Sequence, residues 1–302
     1  MSDTQTKTLT IFAPAKVNLY LHVTGRLDNG YHTLDSLIAF VDVGDDVTLS
    51  PAPDFEFRID GPLAKAFGPK ETDASPHSAN LVVQCVWALA RAAQKVPNIR
   101  ATLTKRLPLA AGLGGGSSDA AAVIWGLMEW WDLPRQSHYL PGLMARMGAD
   151  IPVCLPCRPA RVRGIGDILD SVPSLEETPI VLVHPGKPCP TQRVFANYAG
   201  AFKNTANLPA DIRHFDGLIG FLKQQGNDLL PAAMAIVPEI GNALTALEAQ
   251  KGCALARMSG SGATCFGLFR DEAQAQKAAQ QIARDNPDWW VRGGWLNRPE
   301  RY

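Results

Sequence analysis

The sequence predicts an α+β protein of two domains. Strand patterns and helical patterns are mixed in both halves, without a regular β-α-β alternation. The pattern breaks into irregular connections around Pro156–Pro159 and Gly164-Ile165-Gly166-Asp167, then restarts near Thr178. The boundary therefore falls at about 170–180, which gives domains at residues 1–172 and 173–302. At 302 residues, 46% hydrophobic and 19% charged, the chain can bury a large core.

Leu9 to Val23 reads as extended structure interrupted at Pro14. Thr8-Leu9-Thr10-Ile11 alternates polar and apolar, and Val17 to Val23 resumes the alternation. Asp28-Asn29-Gly30 is a turn signal, followed by strands over Leu37–Val43 and Asp46–Ser50. Phe55–Ile59 alternates and stops at the turn Asp60-Gly61-Pro62. Helical spacing then takes over. Leu81, Val82, Cys85, Val86, Leu89 and Ala93 share a face behind Asn80 as N-cap. Ile99, Ala101 and Leu103 alternate as a strand. Helices are predicted over Ser117–Trp131 and Leu140–Met147, the latter stopping at Gly148. In the second half, Ile180–Val183, Ala254–Met258, Cys265–Phe269 and Trp289–Arg292 read as strands. Thr191–Tyr198, Asp216–Gln224, Pro238–Ala249 and Glu272–Arg284 read as helices.

Lys plus Arg and Asp plus Glu each number 29, so the net charge is zero. A neutral chain has no electrostatic reason to seek nucleic acid or an anionic membrane. Met1–Lys7 lacks the apolar centre of a secretory signal, and the apolar stretch Leu81–Ala93 is too short to span a bilayer. A cytoplasmic protein is expected, with no nucleic-acid or membrane partner, as a monomer or weak homodimer. The six cysteines make no disulfide framework in a chain this long. Cys154-Leu155-Pro156-Cys157 has C-x-x-C spacing, but no second ligand pair for zinc accompanies it. Pro156 and Pro159 crowd the helix start that a redox motif needs. Buried reduced thiols are the expectation.

Four segments carry chemistry. The strongest is Leu107 to Asp119, whose Gly112-Leu113-Gly114-Gly115-Gly116 run lies between a strand and a helix. Glycines let successive N–H groups point inward, and the helix start adds unpaired N–H groups and a positive dipole end. The result is an anion cradle suited to a triphosphate. Ser117 and Ser118 can cap the helix, and either hydroxyl can reach a phosphate or magnesium. No Lys-Ser or Lys-Thr follows the glycines, so this is not a Walker loop. In the second segment, Lys16 and Asn18 interrupt an apolar strand and share a face by alternation. The third, Gly148-Ala149-Asp150-Ile151-Pro152, presents a carboxylate that either caps a turn or acts as base or magnesium ligand. The fourth, Met258 to Thr264, is a second glycine-serine turn, of a kind that commonly just connects strands.

Together these segments resemble the three motifs and the catalytic aspartate of the GHMP superfamily of small-molecule kinases. The likeness runs from the first strand to the Gly260 turn, nearly the whole chain. Gly30-Tyr31-His32-Thr33-Leu34 is the specific part. With Ala13–Leu19, Leu113–Ala121, Gly148–Pro152 and His184-Pro185-Gly186, it is similar to a branch whose substrate bears a cytidine diphosphate group. The resemblance implies an N-terminal domain like ribosomal protein S5 domain 2, a ferredoxin-like C-terminal domain, and an active site between them. It implies ATP- and Mg2+-dependent phosphorylation of a tertiary hydroxyl, C2 of a methylerythritol unit, in the non-mevalonate route to isoprenoids.

By the same resemblance, Asp150 accepts the hydroxyl proton. Lys16 keeps Asp150 ionised and orients the hydroxyl, and Asn18 hydrogen-bonds the substrate. Pro108, Leu109, Ala110, Ala111, Gly112, Leu113, Gly114, Gly115, Gly116, Ser117 and Ser118 hold the ATP phosphates, and Asn80 lies near the adenine. Tyr31 and Phe195 stack on the cytosine, His32 bonds its edge, and Thr191 can face the substrate. No magnesium ligand is implied beyond Asp150 or Ser117. One stretch departs from the pattern: Arg158, Arg161 and Arg163 stand where a small-residue run with an acidic residue is expected. They either face the diphosphate or lie exposed. Two other readings compete. A GHMP kinase for mevalonate, homoserine or a sugar has no nucleobase for Tyr31, His32 and Phe195 to hold. A nucleotide-binding module without catalysis needs neither Lys16 nor Asp150.

Overall fold

The computed structural model of the protein describes residues 7–134, 137 and 140–298. Strands β1 (Leu9–Arg26) and β2 (His32–Pro51) form one long antiparallel hairpin. Pro14 does not end β1. A register shift between Pro14 and Ala15 absorbs it, setting Pro14 opposite Gly44 and Ala15 opposite Val41. Gly44 permits that crowding, since a Cβ there would lie 2.2 Å from the Ala13 carbonyl oxygen. The two strands expected over Leu37–Val43 and Asp46–Ser50 are thus one, and the turn Asp28-Asn29-Gly30 is the hairpin tip.

There follow β3 (Glu56–Asp60), α1 (Pro69–Thr72), α2 (Leu81–Ala93), β4 (Ile99–Thr104), α3 (Gly115–Trp130), α4 (Leu140–Met147), α5 (Ile151–Cys154), β5 (Ala160–Gly164) and β6 (Ile168–Ser171). The second half holds β7 (Thr178–His184), α6 (Thr191–Ala196), α7 (Phe215–Lys223), α8 (Leu230–Met234), α9 (Glu239–Glu248), β8 (Cys253–Met258), β9 (Cys265–Phe269), α10 (Glu272–Asp285) and β10 (Trp290–Leu296). The irregular connections expected around Pro156–Pro159 and Gly164–Asp167 are turns, but they flank two strands that the sequence pattern does not predict: β5 and β6 form a hairpin about the second turn, with β5 paired to β2.

The strands join in one ten-stranded sheet whose main order is β3-β4-β2-β10-β7-β9-β8. The division at 172/173 falls just ahead of β7, and the sheet runs across it. Strand β10 makes the join: Leu296 lies opposite Val41, and Asn297 N donates to the Phe40 carbonyl at 2.8 Å. In the first half, α2 and α3 cover the sheet. Val82, Val86 and Leu89 pack with Val123, Leu127 and the inward side chains of β4. This is the stripe that the 3.6-residue spacing specifies. In the second half, α9 and α10 bury Ile240, Leu247 and Ile282 against β7 and β9. Among the described residues, no helix is long and apolar enough to cross a membrane.

Candidate active site

The glycine loop is anchored before it bends. Asp45 Oδ1 accepts from the backbone N–H groups of Arg106 (2.5 Å) and Leu107 (2.9 Å). Its other oxygen takes the Lys105 ammonium at 2.5 Å, and Lys105 also reaches Asp119 Oδ2 at 2.8 Å. All three side chains are buried. Burial pushes the Asp119 carboxyl up to about 8, Lys105 opposing the rise and Asp45 adding to it. Lys105 also lines the cleft described below. Sequence reading missed it, because a lysine at the end of an alternating strand looks solvated.

Gly112 and Gly114 have φ of +73° and +63°, the left-handed region that glycine enters freely. A Cβ on Gly112 would fall 2.3 Å from the Ser259 carbonyl oxygen. Gly114 itself occupies the N-cap position of α3, and the helix's first bond is Ser118 N to the Gly114 carbonyl, 2.9 Å. The N–H groups of Gly115, Gly116 and Ser117 therefore precede the intrahelical ladder and remain for a ligand. The expected serine cap is corrected here. Ser118 is buried and donates its hydroxyl to the Pro14 carbonyl at 2.5 Å, tying α3 to β1 instead of facing the cleft. Ser117 does line the cleft.

Lys16 passes directly beneath this loop, with its backbone N donating to the Leu113 carbonyl at 2.8 Å. Its buried ammonium lies 3.0 Å from Asp150 Oδ2 and donates to Asn18 Oδ1 at 3.1 Å. Asn18 Nδ2 in turn donates to Ser36 Oγ at 2.8 Å. Asp150 precedes α5 and makes no side-chain cap bond to it. Its carboxylate turns to Lys16 with 39% of the side chain exposed, so one oxygen is held and the group still reaches the cleft.

The second glycine-serine turn is part of this assembly. Ser259 Oγ donates to the Gly112 carbonyl (2.8 Å) and accepts from Asn18 N (3.1 Å). Thr264 N donates to the Ala111 carbonyl at 3.1 Å. A turn from the second half thus fixes both the glycine loop and the strand that carries Lys16.

One cleft of about 830 Å³ brings together Lys16, Asn18, Tyr31, His32, the loop from Pro108 to Ser117, Asp150, Thr191 and Phe195. Asn80 is not in its wall. Asn80 Oδ1 caps α2 by accepting from Val82 N at 2.9 Å, and its neighbour Leu81 lines the cleft. His32 stacks on Phe195, with ring centroids 5.4 Å apart and planes 25° from parallel. Burial, with Arg26 nearby, lowers the pKa of His32, which favours a neutral ring with one donor and one acceptor nitrogen. Tyr31, at the hairpin tip, is 64% exposed. Thr191 Oγ1 and Ser261 Oγ share a hydrogen bond of 2.8 Å.

The arginine stretch is structural. Arg161 forms a two-point contact with buried Asp35 (2.7 and 3.0 Å), and Arg163 pairs with Asp170 (2.6 Å). Neither is directed to a diphosphate, and Arg158 lies exposed. The C-x-x-C thiols are free, and burial raises both. Among the described residues, no group of three or more His, Cys, Asp or Glu side chains is arranged to hold a metal.

Free N–H groups at the glycine loop above a lysine–aspartate pair are an arrangement suited to nucleotide-dependent phosphoryl transfer. The family models for the GHMP kinases N-terminal domain and the GHMP kinases C-terminal region match residues 80–156 and 210–288. A 4-diphosphocytidyl-2-C-methyl-D-erythritol kinase of Paramagnetospirillum magneticum is 43% identical, over 93% of this chain and 96% of its own length. One of Paracoccus denitrificans is 45% identical, over 94% of this chain and 95% of its own. A crystal structure of 4-(cytidine 5'-diphospho)-2C-methyl-D-erythritol kinase superimposes with a TM-score of 0.77 at 29% identity, covering 96% of this chain and 99% of that one. The chain belongs to the GHMP kinase family, on the branch of its 4-diphosphocytidyl-2-C-methyl-D-erythritol kinases. It is an ATP-using small-molecule kinase with the mixed α+β GHMP kinase fold.

Proposed function

We propose that the protein transfers the γ-phosphoryl group of ATP to the C2 hydroxyl of 4-diphosphocytidyl-2-C-methyl-D-erythritol. The products are the 2-phosphate and ADP, and the reaction lies in the non-mevalonate pathway to isoprenoid precursors. The observation that carries this reading is the 3.0 Å Lys16–Asp150 pair, which shares one cleft with the glycine cradle and the His32–Phe195 stack.

The residues fit the nucleotide. The N–H groups of Gly115, Gly116 and Ser117 open toward a phosphate. Gly116 is exposed and a Cβ there would meet nothing closer than 3.8 Å, so the cradle has room. Mg2+ typically takes one or two carboxylates and completes its shell with water and phosphate oxygens. The Ser117 hydroxyl, which lines the cleft, would hold such an ion, with water and phosphate oxygens in its other positions. The ion supplies neutralisation of charge on the phosphate oxygens. Lys16 fixes Asp150 Oδ2, which leaves the other carboxylate oxygen for the C2 hydroxyl. Asp150 takes that proton as the hydroxyl oxygen bonds to the γ-phosphorus and the bond to the bridging oxygen of ADP breaks. Asn18, held by Ser36 and Lys16, hydrogen-bonds the substrate alongside. Tyr31, His32 and Phe195 bind the cytosine by stacking and edge contact. Thr191 faces the substrate, and Asn80 shapes the adenine end through α2.

We take residues 1–172 and 173–302 as the two domains, the second ferredoxin-like. The protein acts in the cytoplasm, where its six free thiols stay reduced, as a monomer or weak homodimer. A coupled assay of ADP release tests the function. Magnesium-dependent turnover is expected with the cytidine diphosphate substrate. Turnover with mevalonate or homoserine but not with that substrate sinks the assignment.

A further inference from the structure

The ring stack at the base end of the cleft continues behind it. His32 stacks on Phe195 and meets Tyr198 nearly at right angles, with centroids 5.6 Å apart and planes at 82°. Tyr198 in turn stacks on Phe202 at 6.5 Å and 23°. Tyr198 is not among the residues that line the cleft. It reaches the cleft through its ring contact with His32 and through its backbone N, which donates to the Phe195 carbonyl at 3.2 Å.

The segment after α6 is built to hold that ring. The Tyr198 hydroxyl donates to the Ala201 carbonyl at 2.8 Å. The chain crosses the ring at Gly200, where a Cβ would fall 2.8 Å from the hydroxyl oxygen and 2.9 Å from two ring carbons. Four contacts then fasten the segment to the rest of the fold. Lys203 N donates to the Val23 carbonyl at 2.9 Å, and its ammonium pairs with Asp228 at 2.5 Å. Arg161 donates to the Ala206 carbonyl at 2.6 Å, and Ala206 N donates to Asp35 Oδ2 at 2.6 Å. Ordering an irregular segment costs conformational entropy, and these buried or half-buried contacts offset it. The departure at Arg161 therefore serves the segment that presents Tyr198.

We propose that Tyr198 is a positioning residue for cytosine recognition, holding the His32 imidazole against Phe195 so that its polar edge stays available to the base. The proposal rests on the reading of His32 given above. An edge-to-face ring pair restricts the rotation of its partner, and an imidazole free to turn presents its nitrogens to the base only part of the time.

Two variants test it. Tyr198→Leu keeps apolar bulk and loses the ring; Tyr198→Phe keeps the ring and loses the bond to Ala201. Tyr198→Leu is expected to raise KM for the cytidine diphosphate substrate by about three- to tenfold, the range of one aromatic pair, with kcat and the KM for ATP unchanged. Tyr198→Phe, which keeps the ring pair with His32, is expected to raise the substrate KM less than Tyr198→Leu does. In the background of His32→Ala, adding Tyr198→Leu is expected to cost nothing further, since the two act as one unit. Unchanged substrate KM in Tyr198→Leu, additive losses in the double variant, or an equal loss in both KM values and kcat overturns the proposal.

Calorimetric titration with cytidine 5'-diphosphate repeats the cycle without turnover. If wild type binds it but does not turn over the substrate, the proposed function fails and the titration still decides the role of Tyr198. No binding by wild type overturns both.

Discussion

Gly114 leaves no room for a side chain above Lys16: a Cβ there would lie 2.9 Å from Lys16 Cε and 3.1 Å from Lys16 Cβ. The φ of +63° adds a conformational reason for glycine. The glycine loop and Lys16 thus pack directly on each other, and the bond from Lys16 N to the Leu113 carbonyl ties them. Gly114→Ala is expected to displace Lys16 from Asp150 and lower kcat by about 10²-fold, the scale of a misplacement near 1 Å. Steady-state kinetics beside a thermal melt check this; an active Gly114→Ala enzyme would show that the contact is slack.

Asp150→Asn keeps the size of the side chain and removes the carboxylate proposed as proton acceptor. Turnover is expected to fall by about 10²–10⁴-fold, the usual worth of a positioned base, with ATP binding retained by titration. An Asp150→Asn enzyme with near-wild-type turnover removes the role assigned to this residue.

Lys105→Met strips the cation from between Asp45 and Asp119. Breaking a buried ion pair from one side typically costs about 3–5 kcal/mol, and here two carboxylates are left facing each other. Urea unfolding measures the loss. Asp119→Asn is expected to cost less, because Lys105 keeps its bond to Asp45. Equal losses in the two variants contradict this account of the cluster.

Acid sensitivity has an identifiable source in β7. Burial lowers His184 to about 4, and its Nδ1 accepts from Gly186 N at 3.1 Å, which a protonated nitrogen cannot do. The unfolded chain takes the proton near its ordinary value of about 6.5. Between about 6.5 and 4 the unfolded state therefore binds more protons, and stability falls as the pH falls. His184→Asn retains an acceptor without that titration. Unfolding free energies at pH 7 and pH 5 are expected to converge in the variant; an unchanged difference assigns the acid sensitivity to other groups.

Local patterns are legible in this sequence wherever one segment settles the matter. The α2 stripe behind Asn80, the glycine run ahead of α3 and the alternation of β4 each depend on near neighbours in the chain. Long-range pairings are not legible. The register shift at Pro14 sets Lys16 beneath Gly114, yet it depends on Gly44, thirty residues away. Ser259 reads as an ordinary turn residue until the fold brings it to Gly112 and Asn18. The β5–β6 hairpin is hidden because its strands are only five and four residues long, and its arginines find their acids, Asp35 and Asp170, only in the folded chain. Ser118 looks like a helix cap because the Pro14 carbonyl that claims its hydroxyl lies across the sheet.

Strand β10 has a mechanical consequence. Leu296 opposite Val41, Asn297 N on the Phe40 carbonyl and Trp295 N on Asp42 Oδ1 lock the last strand onto β2. Strand β10 pairs along its length with β7 on the other side. Opening the two halves about a hinge would therefore require breaking the bonds of β10 to one of its neighbours.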